Sequence, residues 1–164
     1  KEVGNDAARF YYVMRKSEQH IDFDLDLAAS QSKDNAVYYI QYAHARVNSI
    51  LNRAKEKGIT FDVASARQVA NLLVLETETE ILAKLAAYPE ILIRAANVYE
   101  PHQIGNYLKD LAALFHGWYA QDGVKFVDET NIPLSQARLL LSINVQQVLR
   151  NGLELLGVSA PEAM

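Results

Sequence analysis

One stretch of the sequence concentrates side chains that could bind an unpaired nucleic-acid base. Residues 37–46 read Val-Tyr-Tyr-Ile-Gln-Tyr-Ala-His-Ala-Arg, with three tyrosines, a glutamine, a histidine and an arginine. If this stretch is helical, Tyr39, Tyr42 and Arg46 share one face, because they stand at positions i, i+3 and i+7. Aromatic rings stack on the unpaired bases of single-stranded RNA, and arginine binds bases and phosphates. Tyrosines packed in a core with hydrogen-bonded hydroxyl groups would give the same pattern.

The sequence lacks the motifs of an autonomous active site. It contains no cysteine, which excludes disulfide scaffolds, cysteine-bound metals and thiol catalysis. It has neither a glycine-rich phosphate-binding motif nor a Gly-x-Ser-x-Gly nucleophile motif. None of the four histidines follows a glutamate by three residues, as a di-metal helical bundle requires. We therefore expect no catalytic residue, metal site or cofactor in this chain.

The apolar residues recur at helical spacing through most of the chain, which predicts an all-α bundle of five to six helices. The clearest helix covers about 35–57 and ends before Gly58, and the last runs from about 134 to 156. Thr77 to Glu80 reads as a capping box at the start of another helix. Residues 20–27 are an exception, because their strict alternation predicts a short, half-exposed strand or extended segment.

The charge of the chain is unevenly distributed. Sixteen basic and twenty acidic residues give a net charge of −4 over 164 residues, which argues against a generic nucleic-acid binder, and we expect no DNA partner. The predicted helix at 35–58 is locally positive, with four bases (Arg46, Arg53, Lys55 and Lys57) against one acid. The sequence contains no run of about 18 apolar residues, which is the length that would predict a membrane span. Since the chain begins with Lys1, we expect a fragment of a longer protein or a mature product.

Four ordered stretches resemble the anticodon-binding domain of the arginyl-tRNA synthetase family. The stretches are residues 3–10 with 23–28, 38–46, 99–102 with 107–112, and 137–139 with 147–153, and the chain closes on Met as that family does. The resemblance implies that 1–34 is the exit segment of a catalytic domain. It also implies that 35–164 is a DALR-type anticodon-binding bundle of a class I synthetase. The literal Asp-Ala-Leu-Arg tetrapeptide is absent, and the nearest stretch is 134–138.

The resemblance implies a function for the parent protein that this chain would serve only in part. The parent would be an arginine–tRNA ligase of the cytoplasm that uses ATP, with Mg²⁺, to attach arginine to its tRNA. This chain has neither a His-x-Gly-His nor a Lys-Met-Ser-Lys-Ser motif, so we expect it to be inactive alone. Its partners would be the anticodon loop of the tRNA for arginine and the catalytic domain of the same chain.

The resemblance also implies which side chains contact the tRNA. Tyr39, Arg46 and Met164 match family residues at the anticodon, and Trp118 stands near the aromatic end of its helix. Tyr42 joins them because it shares the face of Tyr39 and Arg46. Two alternatives stay open: the same bundle in a sibling class I synthetase, and a helical protein–protein interaction module without an RNA role.

Overall fold

The computed structural model describes residues 4–15, 24–32 and 34–164. These residues form eight α-helices, one short 3-10 helix at Ala70–Leu72 and no strand. The α-helices are α1 Asn5–Val13, α2 Leu25–Ala29, α3 Ala36–Glu56, α4 Val63–Gln68, α5 Glu76–Ala86, α6 Tyr88–Asn97, α7 His102–Ala120 and α8 Ile132–Leu155. The all-α prediction is confirmed. The described residues hold more helices than five to six, because three short helices (α1, α2 and α4) accompany the five long ones.

The core lies where the three longest helices, α3, α7 and α8, pack on one another. Ile40 of α3, Leu111 of α7 and Leu149 of α8 are fully buried there, and each such burial stabilises the fold by roughly 1.5–3 kcal/mol. Gly152 brings α8 close to α7, because a Cβ at this position would stand 2.5 Å from a methyl carbon of Leu108. The remaining helices surround this triplet. No helix in the described ranges is long and apolar enough to cross a bilayer.

The helix α3 begins and ends close to where the sequence predicts. Its backbone starts after Asn35, whose side-chain amide donates to the carbonyl oxygens of Ala28 and Ser30 instead of capping the helix. It ends before Gly58, which takes a φ of +70°, a left-handed conformation that glycine adopts without steric cost. The α3 side chains that face RNA in our hypothesis are therefore held on a regular, well-anchored helix.

The extended segment predicted over residues 20–27 is wrong for its described part. Residues 24–29 form the start and body of α2, and the Oδ1 atom of Asp24 accepts a 2.9 Å hydrogen bond from the backbone N–H of Leu27. This N-cap satisfies a backbone donor that would otherwise be orphaned, and it outweighs the short alternating pattern. Residues 20–23 lie outside the described part of the chain.

A buried carboxylate begins α5, two residues earlier than the predicted capping box implies. The backbone N–H of Leu75 donates to Oε2 of Glu78 at 3.1 Å, so Glu78 rather than Glu80 closes the turn. The hydroxyl of Thr77 donates to Gln121 and does not cap the helix. The other carboxylate oxygen of Glu78 accepts from Nε of Arg138 at 2.8 Å, an ion pair between α5 and α8.

The first helix belongs to the same core. Phe10 of α1 is 3% exposed and packs with the buried side chains of the bundle, and α1 contacts α3 and α7. The boundary predicted between residues 34 and 35, with an exit segment before it, stays a prediction.

Candidate nucleic-acid interface

An arginine held between two tyrosine rings marks the face shared by α3 and α7. The guanidinium carbon of Arg46 lies 4.4 Å from the ring centre of Tyr42 and 4.4 Å from that of Tyr119. These are cation–π distances, each contributing about 0.5–1 kcal/mol at an exposed site. Tyr42 and Tyr119 are 36% and 38% exposed, so both rings reach the surface. Arg46 is thus positioned by aromatic faces, which leave its charge unneutralised.

A neutral histidine on α7, His116, holds this arginine by a hydrogen bond. Nη1 of Arg46 donates to Nδ1 of His116 at 2.8 Å, and Nε2 of His116 donates to the carbonyl oxygen of Tyr39 at 3.1 Å. Burial lowers the pKa of His116, the charge of Arg46 lowers it further, and the hydrogen bond to Tyr39 opposes both. Among the residues that the structure describes, no carboxylate pairs with Arg46. Its positive charge therefore remains available to a ligand.

The tyrosines of α3 form a ring cluster around this histidine. The ring of Tyr39 is half-buried and lies 4.4 Å from that of His116, and the ring of Tyr42 lies 5.7 Å from it. Tyr38 stacks nearly parallel on Tyr42, with ring centres 6.1 Å apart. Tyr39, Tyr42 and Arg46 therefore all contact His116, in agreement with their shared helical face. Tyr42 and Arg46 are at the surface, and Tyr39 supports them.

The end of the chain is tied along a second face of α3. Nε2 of Gln41 donates to the Ser159 carbonyl at 3.0 Å, and Nδ1 of His44 lies 2.8 Å from the Pro161 carbonyl. Nδ2 of Asn48 donates to the Glu162 carbonyl at 2.8 Å. These three α3 side chains lie at i, i+3 and i+7, so they hold three carbonyls along the tail, those of residues 159, 161 and 162. Gln41 and His44 therefore pack and hydrogen-bond away from the tyrosine face.

The tail reaches a small cleft beside the arginine, which we call the tyrosine cleft. It has a volume of about 240 Å³ and is lined by Tyr42, Arg46, Tyr119 and Met164, together with polar side chains such as Asn52. Met164 is 53% exposed at its edge. Three of the five residues predicted to contact tRNA thus line one cleft, and Tyr39 lies behind it through His116.

Trp118, the fifth predicted residue, does not reach this surface. Its side chain is 0% exposed and packs against Phe115 and Phe126, with ring centres 6.2 Å and 4.3 Å away. The expectation that Trp118 binds tRNA therefore conflicts with its place in the core. The reason is its register, because residue 118 continues the apolar stripe of α7. Its neighbour Tyr119 points into the cleft instead, and sequence reasoning missed it.

The signal for the missed residues lies in their spacing. His116 and Tyr119 stand three residues apart on α7, so they share a face that is distinct from the stripe of Phe115 and Trp118. A polar aromatic pair on the non-core face of an amphipathic helix could have been proposed from the sequence. Within the described residues, no group of three or more histidines, cysteines, aspartates and glutamates could hold a metal ion.

The fold defines the class to which this bundle belongs. Its helices superpose on the arginyl-tRNA synthetase of Thermus thermophilus with a TM-score of 0.76 and 32% identity, over 97% of this chain and 26% of that chain. A protein of Campylobacter jejuni gives a TM-score of 0.81 with 28% identity, over 99% of this chain and 34% of that chain. The architecture is thus that of a helical domain within much larger synthetases.

The chain belongs to the DALR anticodon binding domain family, whose model matches residues 40–164. It is 74% identical over all 164 residues to the arginine–tRNA ligase of Acinetobacter baumannii strain AYE, and covers 27% of that protein. It is 58% identical to the arginine–tRNA ligase of Psychrobacter sp. strain PRwf-1, with 100% of this chain matching 28% of that protein. The chain therefore spans about a quarter of the length of these curated relatives.

Proposed function

We propose that this chain is the anticodon-recognition domain of an arginine–tRNA ligase and that its tyrosine cleft receives bases of the anticodon loop. The observation that carries the proposal is the Arg46 guanidinium, which stands between the exposed rings of Tyr42 and Tyr119 and pairs with no carboxylate in the described residues. RNA loops are recognised by stacking splayed bases on such rings and by hydrogen bonds to base edges. The names of the relatives support arginine as the amino acid.

The cleft has the groups that this recognition needs. Tyr42 and Tyr119 expose part of their rings beside the Arg46 that lies over them, and stacking a base on such a ring is worth about 1–3 kcal/mol. Arg46 uses one N–H on His116 and keeps others for a base or phosphate oxygen. The exposed amide of Asn52 carries both a donor and an acceptor for a base edge. Together these contacts offset the mildly acidic charge of the whole chain.

The rest of the proposed activity belongs to a longer protein. Its catalytic domain, in the same chain as this bundle, would form arginyl-adenylate from arginine and ATP, with Mg²⁺, and transfer arginine to the tRNA. The longer protein would act in the cytoplasm, where tRNA is used for protein synthesis. The present chain carries no nucleotide-binding motif of a class I synthetase, so alone it should bind tRNA without charging it. We also propose that residues 1–34 connect that catalytic domain to the bundle.

The proposal is tested by measuring binding to an anticodon stem-loop of tRNA for arginine. The comparison loop carries a changed middle anticodon base, and both are measured at low and moderate salt. We expect selective binding by the unaltered chain and a loss of roughly 5- to 150-fold for Tyr42→Ala, the range of one lost stacking contact. Arg46→Ala should also weaken binding. Arg94→Ala, an exposed arginine on α6, is the matched control and should bind normally.

The outcomes separate the proposal from its alternatives. Equal affinity for both loops would contradict anticodon recognition. Preference for the stem-loop of another tRNA would favour a sibling class I synthetase. A chain that binds neither loop, with Tyr42→Ala changing only stability, would favour a protein–protein interaction module. Circular dichroism of each variant shows whether its fold is intact before binding is compared.

A further inference from the structure

A second depression lies directly beside the tyrosine cleft. It has a volume of about 640 Å³ and runs between the C-terminal half of α3 and the loop at residues 124–130. Ser49 and Tyr119 line both depressions, so the two adjoin. The volume falls in the range of about 300–1,000 Å³ that is usual for ligand sites. We call this depression the basic groove, because Arg53, Lys57 and Lys125 line it.

The three cations of the basic groove differ in how they are neutralised. Nζ of Lys57 lies 3.3 Å from Glu129, and Nζ of Lys125 lies 3.7 Å from Asp128. Arg53 is exposed, and in the described part of the chain its guanidinium has neither an ion pair nor a side-chain hydrogen bond. Within the described residues, the groove therefore contains one cation with no partner and two cations with one carboxylate each.

The two carboxylates are not held equally. Oδ1 of Asp128 accepts from the backbone N–H and the hydroxyl of Thr130, at 2.9 Å and 2.6 Å, so Asp128 is fixed in place. Glu129 is bound by Lys57 alone in the described residues, and 57% of its side chain is exposed. Exposed pairs of this kind contribute about 0–1 kcal/mol and are easily exchanged. Glu129 can therefore leave Lys57 when an anion arrives, whereas Asp128 stays where Thr130 holds it, 3.7 Å from the more exposed Lys125.

The cations follow the same helical row as the tyrosine cleft. Tyr42, Arg46, Ser49 and Arg53 recur every three or four residues on α3, and Lys57, directly after the helix end, continues the same stripe. This stripe is about 22 Å long at 1.5 Å per residue. It is long enough for several stacked nucleotides, which rise ~3.4 Å each. A strand with a base in the tyrosine cleft would thus pass over Arg53 and Lys57.

We infer that the basic groove binds RNA backbone phosphates of the nucleotides adjacent to the base in the tyrosine cleft. Arg53 is the first phosphate ligand, and Lys57 becomes the second when phosphate replaces Glu129. The inference rests on the proposed function, since the tyrosine cleft sets the position of the strand. It assigns the groove to affinity and not to base choice, because phosphate contacts carry no direct sequence information.

The test measures the affinity of the 164-residue chain for the two stem-loops across a series of salt concentrations. Arg53→Ala should weaken both complexes equally and reduce the slope of log affinity against log salt by about 0.7–0.9, the value for one lost phosphate contact. Lys55→Ala is the matched control, because Lys55 is an exposed cation on the same helix that does not line the groove. It should leave the slope unchanged.

Glu129→Gln tests the exchange at Lys57. Removing this carboxylate should tighten RNA binding and increase the salt slope. A variant with a damaged fold would instead bind RNA more weakly. In a Lys57→Ala background the same substitution should have no such effect. If Glu129→Gln tightens binding equally in both backgrounds, Lys57 is not the second ligand and that part of the inference is overturned.

The outcomes distinguish this inference from the proposed function. Selective binding with an unchanged salt slope in Arg53→Ala would overturn the basic groove and keep anticodon recognition. An equal loss of RNA affinity in Arg53→Ala and Lys55→Ala would also overturn it, because the affinity would then depend on the net charge of the chain and not on the position of the cation. Unselective binding that weakens in Arg53→Ala alone would keep the groove and overturn anticodon recognition. No binding of either loop would overturn both.

Discussion

Two arginines of this bundle occupy opposite environments. Arg138 is buried, with 8% of its side chain exposed, and it donates to the carboxylate of Glu78 and to the carbonyl of Lys125 at 2.8 Å and 2.9 Å. Arg46 is half-buried between tyrosine rings and donates to the neutral ring of His116. The charge of Arg138 is neutralised by a carboxylate inside the protein. The guanidinium of Arg46 is held in place by uncharged groups, which do not neutralise its charge. The first arginine therefore stabilises the fold, and the second remains free to bind an anion.

The two regions are nevertheless connected. Glu78 also closes the first turn of α5 through the Leu75 N–H, so one carboxylate joins α5 to α8. Arg138 holds the Lys125 carbonyl, and Lys125 lies in the loop that forms one wall of the basic groove. A buried ion pair thus fixes the loop opposite α3. The comparison predicts large stability effects on one side and large binding effects on the other.

The largest expected effect is the loss of the buried pair. Glu78→Ala should lower the free energy of unfolding by about 3–5 kcal/mol, because it leaves Arg138 buried without its carboxylate. Urea denaturation followed by circular dichroism measures it. The matched control is Asp110→Ala, which breaks the more exposed Lys84–Asp110 pair and should cost at most about 1 kcal/mol. Equal losses of unfolding free energy in the two variants would contradict the claim that the buried pair stabilises the fold more than an exposed one.

Replacing Arg46 should affect RNA binding more than stability. Arg46→Ala removes two cation–π contacts and the hydrogen bond to His116, so we expect a stability loss of about 1.5–3.5 kcal/mol, smaller than that of Glu78→Ala. Arg46→Lys would keep the charge but lose the planar group between the rings. Unfolding and RNA binding are measured on the same samples. If Arg46→Ala destabilises the chain as much as Glu78→Ala, Arg46 is a structural residue and the contrast fails.

The tail contacts give a smaller effect on the same face. Asn48→Ala removes the hydrogen bond to the Glu162 carbonyl and leaves Gln146 without one partner, so we expect a loss of about 1 kcal/mol. Limited proteolysis should cut the tail faster, and RNA binding should weaken because Met164 is less well placed. Asn52→Ala is the control, one turn further along α3 and exposed. It should leave proteolysis of the tail unchanged, and a tail that is cut equally fast in both variants would contradict the anchoring role.

The sequence predicted what depends on local spacing. The shared face of Tyr39, Tyr42 and Arg46 follows from helical geometry alone, and the structure places all three against one histidine. The error at Trp118 has the same origin, because a shift of one residue turns a helical side chain by about 100° and exchanges core for surface. The resemblance pointed to Trp118 near the aromatic end of its helix, whereas the next residue, Tyr119, is the one that lines the cleft.

The sequence could not predict what depends on packing between distant segments. Glu78 and Arg138 are 60 residues apart, and the sequence around each of them gives no sign that the two side chains form an ion pair. The acidic run around Asp24 looked extended, because alternation over a few residues says nothing about the side-chain cap that forms α2. The basic groove likewise needs α3 and the 124–130 loop to be brought together.

The smallest effect concerns pH and returns to Arg46. Burial lowers the pKa of both His116 and His44 below the ordinary value of 6.5. Each neutral ring lies next to an arginine N–H, from Arg46 at 2.8 Å and from Arg150 at 3.4 Å, so a proton on either ring would oppose a cation. Because both pKa values are lower in the folded chain than in the unfolded chain, the unfolded chain takes up protons first as the pH falls. The stabilising contribution is complete above pH 6.5 and is lost progressively below it.

Urea denaturation between pH 7.5 and 5.5 measures this loss before most carboxylates titrate. The midpoint should fall over this range, and His116→Gln should reduce the fall because one of the two buried rings is gone. His44→Gln should do the same while leaving the Arg46 cluster intact. Limited proteolysis then separates the two histidines: the His44 variant should speed cleavage of the tail, because His44 contacts Pro161, whereas the His116 variant should disturb Arg46 and leave the tail in place. A midpoint that stays constant from pH 7.5 to 5.5 would show that neither ring must remain neutral, and Arg46 would then need another support.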